Sequence, residues 1–119
     1  MRRIVGFVFS RDVGRMYENI TFIELKRMGL KTYYWTGKHE CDILVSKEKD
    51  IVGAIQVCYE LTQENREREV AGLTEAMELF KLKEGIILAD NQTEEIIFDK
   101  KKVHCIPLWK WLLDHGKMM

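Results

Sequence analysis

Residues 40–60 read ECDILVSKEKDIVGAIQVCYE, and this tract constrains the rest of the chain more than any other. Two runs of apolar and β-branched residues flank a short charged break, the pattern of two strands joined by a tight turn. Side chains alternate in direction along a strand, so Gln56 and Cys58 share a face. With Glu48-Lys49-Asp50 as a three-residue loop, Lys47 faces Ile51, and counting back sets Asp42 opposite Gln56. A carboxylate, an amide and a thiol then meet on one patch of sheet.

The remaining elements follow from periodicity and punctuation. Ile4-Val5-Gly6-Phe7-Val8-Phe9 reads as a short strand or lead-in, turning at Ser10-Arg11-Asp12. A helix is expected over residues 14–28, stopped by Gly29, with Met16, Ile20 and Ile23 on one side and Phe22 and Leu25 beside them. Glu18 borders that apolar face. Lys31–Thr36, dense in aromatic and β-branched residues, is a strand. Thr62 is suited to cap a helix over residues 62–80, whose Val70, Leu73, Met77 and Phe80 recur at helical spacing. The charge run of residues 64–69 reads as the solvated face of that helix, because its interleaved acids cancel the field of its arginines.

Residues 83–89 form a nearly unbroken apolar run, hence a buried strand. A second hairpin over residues 94–106 turns at residues 99–102, and Pro107 opens a short last helix over residues 108–113. Its Trp109 and Trp111 read as a core cap rather than a platform for stacking bases. The order is therefore helix, three strands, helix, strand, hairpin, helix. One crossover helix between two apolar strands implies a parallel pair within a mixed sheet, an α/β fold.

At 119 residues the chain is expected to be one domain. Lys plus Arg and Asp plus Glu each number 19, so there is no general excess of positive charge for phosphate. Three cysteines, Cys41, Cys58 and Cys105, form no close pair and point to a reducing, cytoplasmic setting rather than a disulfide framework. His39-x-Cys41 and His104-Cys105 do not have the spacing of a zinc site. The opening MRRIVGFVFS is too short to span a bilayer, so a soluble, non-membrane protein is expected.

An acid on the first helix, an acid on the second strand and a polar pair at x, x+2 on the third resemble the PD-(D/E)XK, or restriction-endonuclease-like, superfamily. More closely, residues 13–113 resemble the C-terminal domain appended to a family of archaeal AAA-type ATPases. The stretches that carry this are GRMYENITFIELKRMG, YYWTGKHECDILV, IQVCYEL, REREVAGLTEAMELFKLKEGIIL and PLWKWLL. The resemblance implies a restriction-endonuclease-like mixed sheet flanked by helices, an α-βββ-α-β core with a C-terminal hairpin and short helix. In active members of the superfamily the strand acids hold Mg²⁺, the helix acid helps, and a lysine two positions on activates water. Mg²⁺ needs hard oxygen ligands placed where a scissile phosphate completes its shell. Carried over by position, Asp42 is the second-strand acid, Glu18 the helix acid, Gln56 the third-strand ligand, and Cys58 stands at the lysine position.

Two of these four positions depart from the active pattern. Gln56 offers a neutral oxygen and no charge, and Cys58 cannot act as a long cationic arm. The pull on Mg²⁺ is then weak or lost. The plainer readings of the same residues are a surface pair of Glu18 with Arg15, an Asp42 bonded to backbone, and Gln56 and Cys58 as core residues. Three functions stay open: a catalytically degenerate nuclease-fold domain that binds DNA or regulates an AAA-type ATPase, an active Mg²⁺-dependent DNA endonuclease, and a structural domain that forms homodimers. The chain carries no GxxxxGK[ST] loop, so the ATPase itself is excluded.

Overall fold

The computed structural model describes the backbone of residues 2–114 and the side chains of residues 11–114. In chain order the elements are α1 (Arg2–Arg27), β1 (Lys31–Thr36), β2 (Glu40–Lys47), β3 (Asp50–Val57), α2 (Arg66–Leu79), β4 (Glu84–Ala89), β5 (Glu94–Phe98), β6 (Lys101–Pro107) and α3 (Leu108–Asp114). The strands form one six-stranded mixed sheet in the order β1-β2-β3-β4-β6-β5. The crossover through α2 makes β3 and β4 parallel, β4 also runs parallel to β6, and the remaining neighbours are antiparallel.

Two cores explain the unbroken apolar runs. Leu44, Ala54 and Ile87 pack beneath Leu73, Ala76 and Met77 of α2. Their chain neighbours Ile43, Ile55 and Ile86 turn to the other face, against Leu25 of α1 and Leu108 and Trp111 of α3. A strand covered on both sides needs apolar residues at every position.

Several expectations are corrected. The segment read as a lead-in strand, Ile4 to Phe9, belongs to α1, since once a helix is nucleated each further residue adds a hydrogen bond and nothing here breaks it. The buried side of α1 is rotated from the expected one. Thr21, Glu24 and Leu25 are buried, whereas Met16 and Ile23 are 51% and 60% exposed. Helix α2 begins at Arg66 rather than Thr62. Thr62 instead closes the preceding turn, its N–H donating to Asn65 Oδ1 and its hydroxyl accepting from Asn65 N. The two C-terminal tryptophans part company: Trp111 caps the core, but Trp109 is mostly exposed.

The turn between β2 and β3 holds two residues, with Lys47 paired to Asp50 and Glu48 in the left-handed region at φ 61°. The register then slips at a bulge between Val45 and Ser46, where Val52 is left without a partner. The shorter turn and the extra residue cancel. Beyond them Val45 pairs with Gly53 and Ile43 with Ile55, so Asp42 comes level with Gln56 as expected. A further irregularity sets Asp42 and Ile43 together against Tyr34 of β1. That bulge at the head of β2 sends Cys41 to the core beneath α2 and Ile43 to the opposite one.

Candidate functional site

Gln56 is 2% exposed, and both N–H donors and the oxygen of its amide are engaged. Its Oε1 accepts from Asp42 N at 2.8 Å, and its Nε2 donates to Glu40 O at 2.8 Å and to Glu69 O at 3.0 Å. The side chain thus ties the head of β2 to the first turns of α2. Gly72, on the same side of α2, allows this approach. A Cβ there would overlap Glu40 O and come within 2.8 Å of Gln56 Nε2.

Asp42 lies at the same end of the sheet, its Oδ2 accepting from Val57 N at 2.9 Å. Burial raises the Asp42 carboxyl above the usual range, and the Val57 bond partly offsets this. Glu18 of α1 is likewise raised, first by burial and then by Asp42, with Arg15 pulling the other way. Arg15 therefore acts on Glu18, as the plain surface reading of that residue supposed, but does not dominate it. The structure brings Glu18, Asp42, Gln56 and Cys58 to one end of the sheet. Gln56 and Cys58 share the side facing α2, yet the Gln56 amide is turned into the sheet–helix contact while Cys58 borders an open cleft. That cleft, of about 600 Å³, lies between α1 and α2 and is lined by Glu18, Cys58 and Glu69 together with Arg11, Arg15 and Arg68.

Glu69 is the residue that sequence reasoning missed. Assigned to a solvated charge run, it has a side chain only 14% exposed. Burial, then Asp42, raises its carboxyl to about 7, against the pull of Arg68, whose Nε lies 3.5 Å from Oε2. A usable signal existed, because residues 69, 72, 73 and 76 follow helical spacing and the last three are fully buried. The folded protein holds this proton more tightly than the unfolded chain. Stability from this group is therefore full below the ordinary Glu value of 4.5 and is lost as pH rises through about 7. Glu69→Gln should flatten that decline, worth up to about 3 kcal/mol, in urea unfolding curves recorded between those pH limits. An unchanged slope would sink the assignment.

Burial raises Cys58 first, and Glu69 raises it further, so it stays a neutral thiol at physiological pH. Cys41 is pushed up to about 12 by burial. For Mg²⁺ the donors do not form a ready shell. Among the described residues no three His, Cys, Asp or Glu side chains converge to hold a metal ion, and the Gln56 oxygen already accepts from Asp42 N. Beside the cleft, Tyr17 donates its hydroxyl to Asp90 and is pushed up to about 12 by that bond, which ties α1 to the end of β4. No helix among the described residues is long and apolar enough to cross a membrane.

No family model matches the chain, and no solved structure matches it. It is similar to an uncharacterized protein of Methanocaldococcus jannaschii, 36% identical over 118 residues. That alignment covers 90% of this chain and 26% of the relative, so the chain spans about a quarter of the length of the protein it matches.

Proposed function

We propose that this chain is a PD-(D/E)XK-like domain that has lost efficient turnover and serves as a nucleic-acid-binding or regulatory module, carried by or acting with an AAA-type ATPase. The observation that carries the reading is Gln56. Where the resemblance calls for a charged metal ligand, this side chain is buried and holds Glu40 O, Asp42 N and Glu69 O together. Cys58 supports it, because a half-buried neutral thiol at the lysine position supplies no cation to the attacking water. The cleft between α1 and α2 is the natural place for a nucleic-acid backbone, with Arg11, Arg15 and Arg68 on its walls. The match to part of a longer archaeal protein suits a module that works within a larger chain.

An active Mg²⁺-dependent endonuclease is the second reading, and Glu69 is what favours it. Asp42 and Glu18 both raise the Glu69 carboxyl, so three acids lie within electrostatic reach of one another beside the cleft. Incubating the protein with branched, single-stranded and double-stranded DNA in Mg²⁺ or Mn²⁺ separates the two. We expect retarded DNA on a gel at low salt and no cleavage, from the parent and Asp42→Ala alike. Cleavage that disappears in Asp42→Ala or Glu69→Gln would establish the second reading. Absence of any shift at low salt, where electrostatic binding is strongest, would favour a structural domain.

A further inference from the structure

The two edges of the sheet are dressed differently. At one edge β5 carries Glu94 and Glu95, with both Glu94 oxygens held by Arg66 at 2.6 and 2.9 Å and Glu95 beside His104. Charges of this kind discourage another strand from pairing. At the other edge β1, KTYYWT, carries a single charge, Lys31 at its first position, and among the described residues no strand pairs with its outer side. Tyr33 and Tyr34 are 50% and 60% exposed and, being consecutive in a strand, point to opposite faces. The helical layers stop short of this edge and leave a groove on either side of it. One, of about 560 Å³, is lined by Phe22, Lys26, Leu30 and Tyr33; the other, of about 590 Å³, by Tyr33, Trp35, Leu44, Lys49 and Phe80. Lys31 borders both.

We propose that the outer edge of β1 takes up an extended segment of another protein as a seventh strand, and that this segment alternates apolar and acidic residues. The outward backbone groups of β1 supply the ladder bonds, while the flanking grooves accept alternate side chains. Charge selects the occupant. Lys26, Lys31 and Lys49 stand around the grooves against a single acid, Glu48. A second copy fits poorly, because antiparallel pairing about a two-fold axis sets Lys31 of one copy against the neutral Thr36 of the other. The nearest acid there, Glu40, belongs to β2, and its carboxylate is already engaged by the Tyr34 hydroxyl. A single-stranded nucleic acid would answer the lysines but leave the backbone ladder unmade.

The test titrates the isotopically labelled full chain with a short blocked peptide of alternating valine and glutamate. A valine–lysine peptide and an oligothymidylate serve as comparisons. We expect amide shifts confined to Lys31–Thr36 and the groove residues, a change in Trp35 emission, and loss of binding when alternate peptide nitrogens are methylated. Lys26→Glu with Lys31→Glu, both exposed substitutions, should weaken the acidic peptide at least about tenfold and reverse the preference toward the lysine peptide. Equal binding of the two peptides, or no shift along β1, overturns the proposal. So does tighter binding of the oligothymidylate at these lysines, or self-association without peptide that broadens the β1 amides. Because β1 stands apart from the cleft, failure here leaves the DNA result untouched.

Discussion

Gly72→Ala is expected to destabilise the protein by about 3 kcal/mol, even though alanine returns about 1 kcal/mol of helix propensity. The added methyl meets the Glu40 carbonyl, a backbone group inside the sheet that has no rotamer to change. Helix α2 must lift, and lifting it lengthens the bond from Gln56 Nε2 to Glu69 O while unpacking Leu73, Ala76 and Met77 from the strands. The contrast with Gly85 is instructive. There a Cβ would meet the Met77 sulfur, a flexible side-chain atom, at 2.7 Å and the Leu73 side chain beyond it. Gly85→Ala should therefore lose less than Gly72→Ala. Urea unfolding of both variants checks the ordering, and equal stability of Gly72→Ala and the parent would mean that α2 does not sit so close to β2.

Gln56→Glu is expected to lose about 3 to 5 kcal/mol at neutral pH. The exchange replaces a donor pair with a carboxylate facing the carbonyls of Glu40 and Glu69, beside two acids that burial already raises. The new acid would take up a proton to relieve this, so the defect should shrink as pH falls. The substitution has a functional consequence as well. Gln56→Glu combined with Cys58→Lys supplies the residue types that the proposed likeness to PD-(D/E)XK sites calls for, yet it should weaken the fold rather than create metal binding. Calorimetry with Mn²⁺ on the folded double variant decides the matter. Tight binding with undiminished stability would show that residue 56 is free to swing into the cleft, and would count against the loss-of-turnover reading.

Much of the architecture was legible because it rests on local chemistry. The apolar run of β4, the aromatic strand β1 and the single crossover helix were enough to imply a parallel pair in a mixed sheet. The level pairing of Asp42 and Gln56 was also legible, though through a three-residue turn that is really a two-residue turn followed by a bulge. Such errors cancel when a register is constrained by alternating burial along the strand. The facing of α1 was misread because Met16 and Ile23 look like core residues, whereas Thr21 and Glu24 occupy the buried side. A helix with apolar residues all round gives periodicity little to choose from.

Residue order alone was enough for the α/β class, most of the order of elements and the level pairing of Asp42 with Gln56. The surroundings of each side chain came from packing between distant segments. Hydrogen bonds between segments far apart in the chain turned Gln56 into a clamp between β2 and α2. Partial burial and the nearby Glu69 keep the Cys58 thiol protonated, and packing drew Glu69 out of an apparently solvated run toward Asp42. Residue type and spacing specify local conformation, but the dielectric and the partners that set a side chain's chemistry come from the other elements packed against it.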